Sequence, residues 1–293
     1  MIQDLFVPVV TPFGEDGAVD IDALSAHCDW VSGQGANGVM LFGTTGEGPS
    51  LSVREKVDVA RAVTVNLPSL QVIGSVTESS VVDAAACIAG FNNLPLCGTL
   101  ILPPGYFKES GTDGIRAYFE HLVRLSDHAV LGYHIPSMAP PVTIDVVADL
   151  DMWGAKDSSG DMDYTLAVLA AGKGVMVGAE AVVPDAIRAG AAGTIAGMAN
   201  LIPGHLASIC SRTRAGDMET AYRLRDEVTL VQQALISSAP GMEWVAALKQ
   251  LAGHLQGSSL GDVRVPLVKR RDYRTPEMLA LLERLSLSRP SVV

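Results

Sequence analysis

Short, β-branched apolar runs recur along the first two thirds of the chain: Leu5–Val10, Gly38–Phe42, Leu70–Val76, Cys97–Leu102, Val130–His134, Met152–Lys156, Val175–Gly178 and Gly193–Ala196. Runs this short and this continuously apolar read as strands buried on both faces. Between them lie amphipathic stretches of helical period: Asp22–Gln34, Ser52–Val65, Ser80–Phe91, Thr112–Ser126, Thr143–Leu150, Met162–Ala171 and Pro184–Ala189. Ser52 with Glu55 forms a capping-box pattern, and Asp22 and Thr143 stand where a side chain can accept from free helix amides. After Pro203 the pattern is helical only: Pro203–Ala215, Met218–Ser237, Gly241–Leu255 and Thr275–Leu287.

Strand-like runs alternating with helices in this number match a closed (β/α)8 (TIM) barrel of the α/β class better than a doubly wound sheet. Residues 1–202 are expected to form the barrel core with its mouth. Residues 203–293 supply the last barrel helix and a C-terminal helical extension of the same unit.

Composition narrows the function. A net charge of −11 argues against nucleic acid as a partner, and no apolar segment is long enough for a membrane span. Cys28, Cys87, Cys97 and Cys210 show no CxxC pair, which fits reduced thiols. The first residues carry no basic region ahead of an apolar stretch, so the expected setting is cytoplasmic. The histidines show no HxH or HxxxH spacing, so neither a metal nor another cofactor is expected.

In such barrels reactive groups collect at the C-terminal ends of the strands. Lys156 closes the run Met152-Trp153-Gly154-Ala155 and opens the polar Asp157-Ser158-Ser159-Gly160-Asp161. Desolvation there favours the neutral amine, a nucleophile towards carbonyls, although a strand-end lysine can also simply reach for water. The other lysines, Lys56, Lys108, Lys173, Lys249 and Lys269, lie in polar or helical contexts. Gly43-Thr44-Thr45-Gly46-Glu47-Gly48 reads either as an anion cradle of the size of a carboxylate or as an ordinary glycine turn. Tyr133, one strand from Lys156, could move protons or merely pack; His134 faces the helix layer by strand alternation.

Val9-Val10-Thr11-Pro12-Phe13, Gly43-Thr44-Thr45-Gly46-Glu47, Tyr133-His134-Ile135-Pro136 and Gly154-Ala155-Lys156-Asp157-Ser158-Ser159-Gly160-Asp161 occur in order over nearly the whole chain. In combination they resemble the dihydrodipicolinate synthase / N-acetylneuraminate lyase family, the class I pyruvate-dependent aldolases. The resemblance favours the chemical reading at all three positions. It implies that Lys156 forms a Schiff base with a 2-oxo acid, that Thr44, Thr45 and Gly43 hold its carboxylate, and that Tyr133 shuttles protons. Tyr106 resembles a tyrosine that crosses a subunit interface to join Thr44 and Tyr133, within a homotetramer.

Departures from the family pattern bear on the second substrate, an aldehyde. Met138 stands where synthase members carry an arginine for a carboxylate, so the sequence points away from dihydrodipicolinate synthesis. Gly178 is followed by Ala179-Glu180-Ala181, and the last strand ends in Ala196-Gly197, so two polar groups of the sialic acid lyase pattern are missing. Glu180 could hold a substrate hydroxyl or be solvated. The remaining expectation is an aldolase on a 2-keto-3-deoxy sugar acid. A dehydratase or hydratase-aldolase of the same family, or a 2-oxo acid sensor without turnover, is the alternative.

Overall fold

The computed structural model describes residues 2–287. Eight parallel strands close into one barrel in sequence order: β1 (Asp4–Pro8), β2 (Gly38–Leu41), β3 (Gln71–Val76), β4 (Gly98–Ile101), β5 (Val130–His134), β6 (Gly154–Asp157), β7 (Gly174–Val177) and β8 (Gly193–Ile195). The helices α1 (Ile21–Ser32), α2 (Val53–Asn66), α3 (Val81–Phe91) and α4 (Gly111–Val123) follow the first four strands. Next come α5 (Ile144–Asp149), α6 (Met162–Ala170), α7 (Val183–Arg188) and α8 (Pro203–Arg214), the last of which closes the outer ring. The extension consists of α9 (Met218–Ser238), α10 (Glu243–Gln256) and α11 (Pro276–Leu287).

Two apolar layers hold this arrangement. Phe6, Met40, Ile73, Leu100, Leu131, Met176 and Ile195 fill the barrel itself, while a larger core lies between strands and helices. Strand alternation sorts side chains between the two. Tyr133 pairs in register with Lys156, and both face inward; His134 pairs with Asp157, and both face the helices. There His134 stacks on Tyr164 of α6 at 3.7 Å, and Asp157 accepts from Ser159 and Thr165.

The capping box of α2 is present, but α1 is capped by Asp20 rather than Asp22, which lies in the first turn. Thr143 occupies the cap position of α5 without a side-chain bond to the helix backbone. All four cysteines are free thiols, and no described helix is long and apolar enough to cross a membrane.

Candidate active site

A cavity of about 190 Å³ opens at the C-terminal ends of the strands. Lys156 rises into it from β6 and Tyr133 from β5, and the loop after β2 brings Thr44 and Thr45. Lys156 Nζ lies 4.2 Å from the centre of the Tyr133 ring and 3.8 Å from Met40 Sδ. The Tyr133 hydroxyl is 3.4 Å from Thr44 Oγ1. Burial pushes the Tyr133 phenol up, but the charge of Lys156 and bonds from Thr44, Lys156 and Ser158 outweigh it and hold the phenol below its ordinary value.

Lys156 is not the only buried lysine, although the sequence set the other five apart by their polar or helical contexts. Lys56 and Lys249 are equally buried, but each has a carboxylate partner: Glu78 for Lys56, and Glu47, at 2.7 Å, for Lys249. Both sit three or four residues from buried apolar positions of their helices, which is the signal for burial that a scan for polar neighbours overlooks. No described carboxylate lies within ion-pair distance of Lys156, which separates an amine kept free from amines tied into structure.

The turn after β2 is more constrained than a flexible glycine loop. Phe42 and Glu47 take left-handed conformations, with φ of 63° and 54°, whereas Gly43, Gly46 and Gly48 do not. Its glycines serve close packing rather than freedom of φ. A Cβ on Gly48 would stand 1.8 Å from the Phe42 carbonyl oxygen, and one on Gly43 would strike Met40 Cε. Within this turn the Thr44 and Thr45 amides donate to no described group, while Thr44 and Thr45 line the cavity. Two unpaired amides beside two hydroxyls form an anion cradle.

Glu180 lines the mouth, buried rather than solvated. Its Oε1 accepts from the Met198 amide at 3.1 Å and its Oε2 from Gln232 Nε2 at 2.8 Å. Burial pushes its carboxyl up, against those two bonds and the nearby charge of Lys156. Gly178 lets Ser158 into the mouth, since a Cβ there would lie 2.2 Å from Ser158 Oγ. Met138 stands on the rim, 3.9 Å from Thr44 Oγ1.

Other expected residues lie outside the cavity. Gly43, at the start of the turn, does not line it, and Ala196 is fully buried, so at the end of β8 Ile195, Gly197 and Met198 form the wall. Tyr106 is 85% exposed on the loop after β4, edge-on to Phe107 at 5.4 Å, and does not reach the cavity within one chain. The extension contributes Gln232, Leu235 and Ile236 from α9 and Trp244 from α10, none of which stood out in the sequence. Their only local signal is spacing: 232, 235 and 236 share one helix face.

The Dihydrodipicolinate synthetase family profile matches residues 1–285. An "Uncharacterized DapA-like lyase" of Chloroflexus aurantiacus is 26% identical, with 94% of this chain and 95% of that protein covered. Among solved structures, a variant of the Sulfolobus solfataricus 2-keto-3-deoxygluconate aldolase superimposes with a TM-score of 0.87 at 22% identity, covering 97% of each chain. The N-acetylneuraminate lyase of Aliivibrio salmonicida gives 0.85 at 22% identity over 98% of this chain and 96% of its own. The chain belongs to the dihydrodipicolinate synthetase family and is an enzyme of its class I, pyruvate-dependent lyase and aldolase type.

Proposed function

We propose that this enzyme makes or breaks a carbon–carbon bond in a 2-oxo acid through an imine on Lys156, with pyruvate as the enamine partner. The observation that carries this reading is a buried amine with no carboxylate partner, held 4.2 Å from the ring of a phenol whose pKa is lowered. The amine attacks the keto carbon, the carbinolamine loses water, and the protonated imine draws electrons. In the cleavage direction, Tyr133, left as phenolate after giving its proton to the departing water, takes the proton of the C4 hydroxyl and the C3–C4 bond breaks. Its electron pair forms the enamine, the aldehyde departs, and C3 is protonated before water releases pyruvate. The Thr44–Thr45 cradle would hold the carboxylate and so fix which face of C3 reacts. A sensor has no need of this pair, because binding a carboxylate requires neither a buried amine nor a phenol beside it.

The aldehyde half is the finer question. The sugar-acid expectation meets few polar groups facing the tail, and Glu180 and Gln232 already bond one another and the Met198 amide. The outer wall is Ile135, Met138, Leu235, Ile236 and Trp244. Hydroxyls facing such a wall lose water without gaining partners. This favours an apolar aldehyde, as in the hydratase-aldolase alternative.

Borohydride reduction with pyruvate should leave a stable adduct on Lys156, located by peptide mass spectrometry, and none in Lys156→Ala. An adduct on another lysine, or on none, sinks the imine. Pyruvate consumption with benzaldehyde against glyceraldehyde then decides the tail, with preference for glyceraldehyde restoring the sugar-acid reading.

A further inference from the structure

Behind the carboxylate cradle lies a buried clamp that the reaction scheme does not use. Glu47, in the left-handed position that ends the turn, sends Oε1 to Lys249 Nζ of α10 at 2.7 Å and Oε2 to the Arg264 amide at 2.8 Å. Lys249 Nζ also donates to the Asp262 carbonyl at 2.6 Å. Phe13, from the loop after β1, contacts two cations, its ring centre 4.3 Å from Lys249 Nζ and 4.4 Å from Arg264 Cζ. The Arg264 guanidinium extends the clamp to the Gly17 and Ser50 carbonyls and to Glu55. Three segments far apart in sequence thus meet behind one turn.

A non-glycine left-handed residue and a fully desolvated ion pair each cost free energy, and such features persist where surrounding contacts over-determine them. Here both fall on the residue two positions after Thr45. Burial pushes the Lys249 amine down, and the charge of Glu47 and its bond oppose the shift.

We infer that Glu47 and Lys249 are positioning residues, which set the Thr44 and Thr45 amides against the substrate carboxylate and make the C-terminal segment part of the site. The inference rests on the imine reading above, and the two can fail separately. Substrate binding would then depend on an ion pair that no substrate atom touches.

The test compares borohydride trapping of pyruvate with trapping of acetone, which forms a ketimine on the same amine but has no carboxylate. Lys249→Met leaves Glu47 without its cation and frees the turn. It should lower the ratio of pyruvate to acetone trapping about fivefold or more, with KM for pyruvate rising more than kcat falls. Glu47→Asp keeps the charge on a shorter arm and should lower the ratio in the same way, which covers the case that Lys249→Met does not fold. The double variant E47Q/K249Q, whose amides can bond in place of the ions, should recover most of the ratio. A purely structural clamp would lower Tm and leave the ratio alone. A ratio within about twofold of wild type in whichever single variant folds overturns the inference. Failure of the wild-type enzyme to trap either ketone overturns the imine reading instead.

Discussion

At the scale of single residues, the mouth separates charge that is compensated from charge that is kept available. Lys56 and Lys249 are neutralised by carboxylates, whereas Lys156 faces a phenol and a thioether. If the Tyr133 hydroxyl moves protons, Tyr133→Phe should lower kcat by about two to four orders of magnitude, with a smaller change in pyruvate binding. A normal kcat with a raised KM would reduce Tyr133 to a binding role. Glu180 gives the second test at this scale. Its carboxyl is raised by burial, so its favourable contribution to folding is present below its unfolded value, near 4.5, and is lost as pH rises through the folded value. Glu180→Gln removes the buried charge. Its Tm relative to wild type should therefore be close to unchanged near pH 4 and move in the variant's favour towards pH 8. A constant offset across that range would show that burial does not govern this carboxyl.

At the scale of elements, every strand of the barrel lies within two residues of its apolar run, because a strand covered on both faces must be apolar throughout. The strand-end residues Tyr133 and Lys156 were legible from the ends of their apolar runs; that they share a face rests on the register, which pairs them directly. What α9 does was not legible. Which side of an amphipathic helix looks into a mouth depends on how that helix lies across the barrel, and Gln232 differs from other edge positions only through its bond to Glu180, 52 residues away. Tyr106 illustrates the same limit, since its sequence setting placed it on the rim, and within one chain it does not line the cavity. Ile236 lines the mouth and is 54% exposed. Ile236→Asn should lower kcat/KM for an aryl aldehyde about tenfold or more relative to glyceraldehyde, as expected for one misplaced polar group in an apolar pocket. An unchanged ratio in steady-state assays would remove α9 from substrate selection.

At the scale of the whole molecule, Tyr106 and Phe107 are 85% and 66% exposed side by side, apolar area that a second copy could cover. If Tyr106 completes a neighbour's proton relay, mixing Tyr106→Phe subunits with Lys156→Ala subunits should restore turnover above either variant alone. One kind of site in the hybrid then has both residues intact. Light scattering that shows a fully active monomer would refute the arrangement.

The order in which the chain emerges during synthesis gives the roof of the mouth a further meaning. β8 closes the barrel at Ile195, yet Gln232, Leu235, Ile236 and Trp244 are still to come, as are Lys249 and Arg264 behind the cradle. A chain that stops between Ile195 and Gln232 contains Lys156 and all eight strands, but none of the residues that roof the mouth or back the cradle. On the reading proposed above, aiming a substrate at that amine thus waits for residues well beyond the strand that closes the barrel.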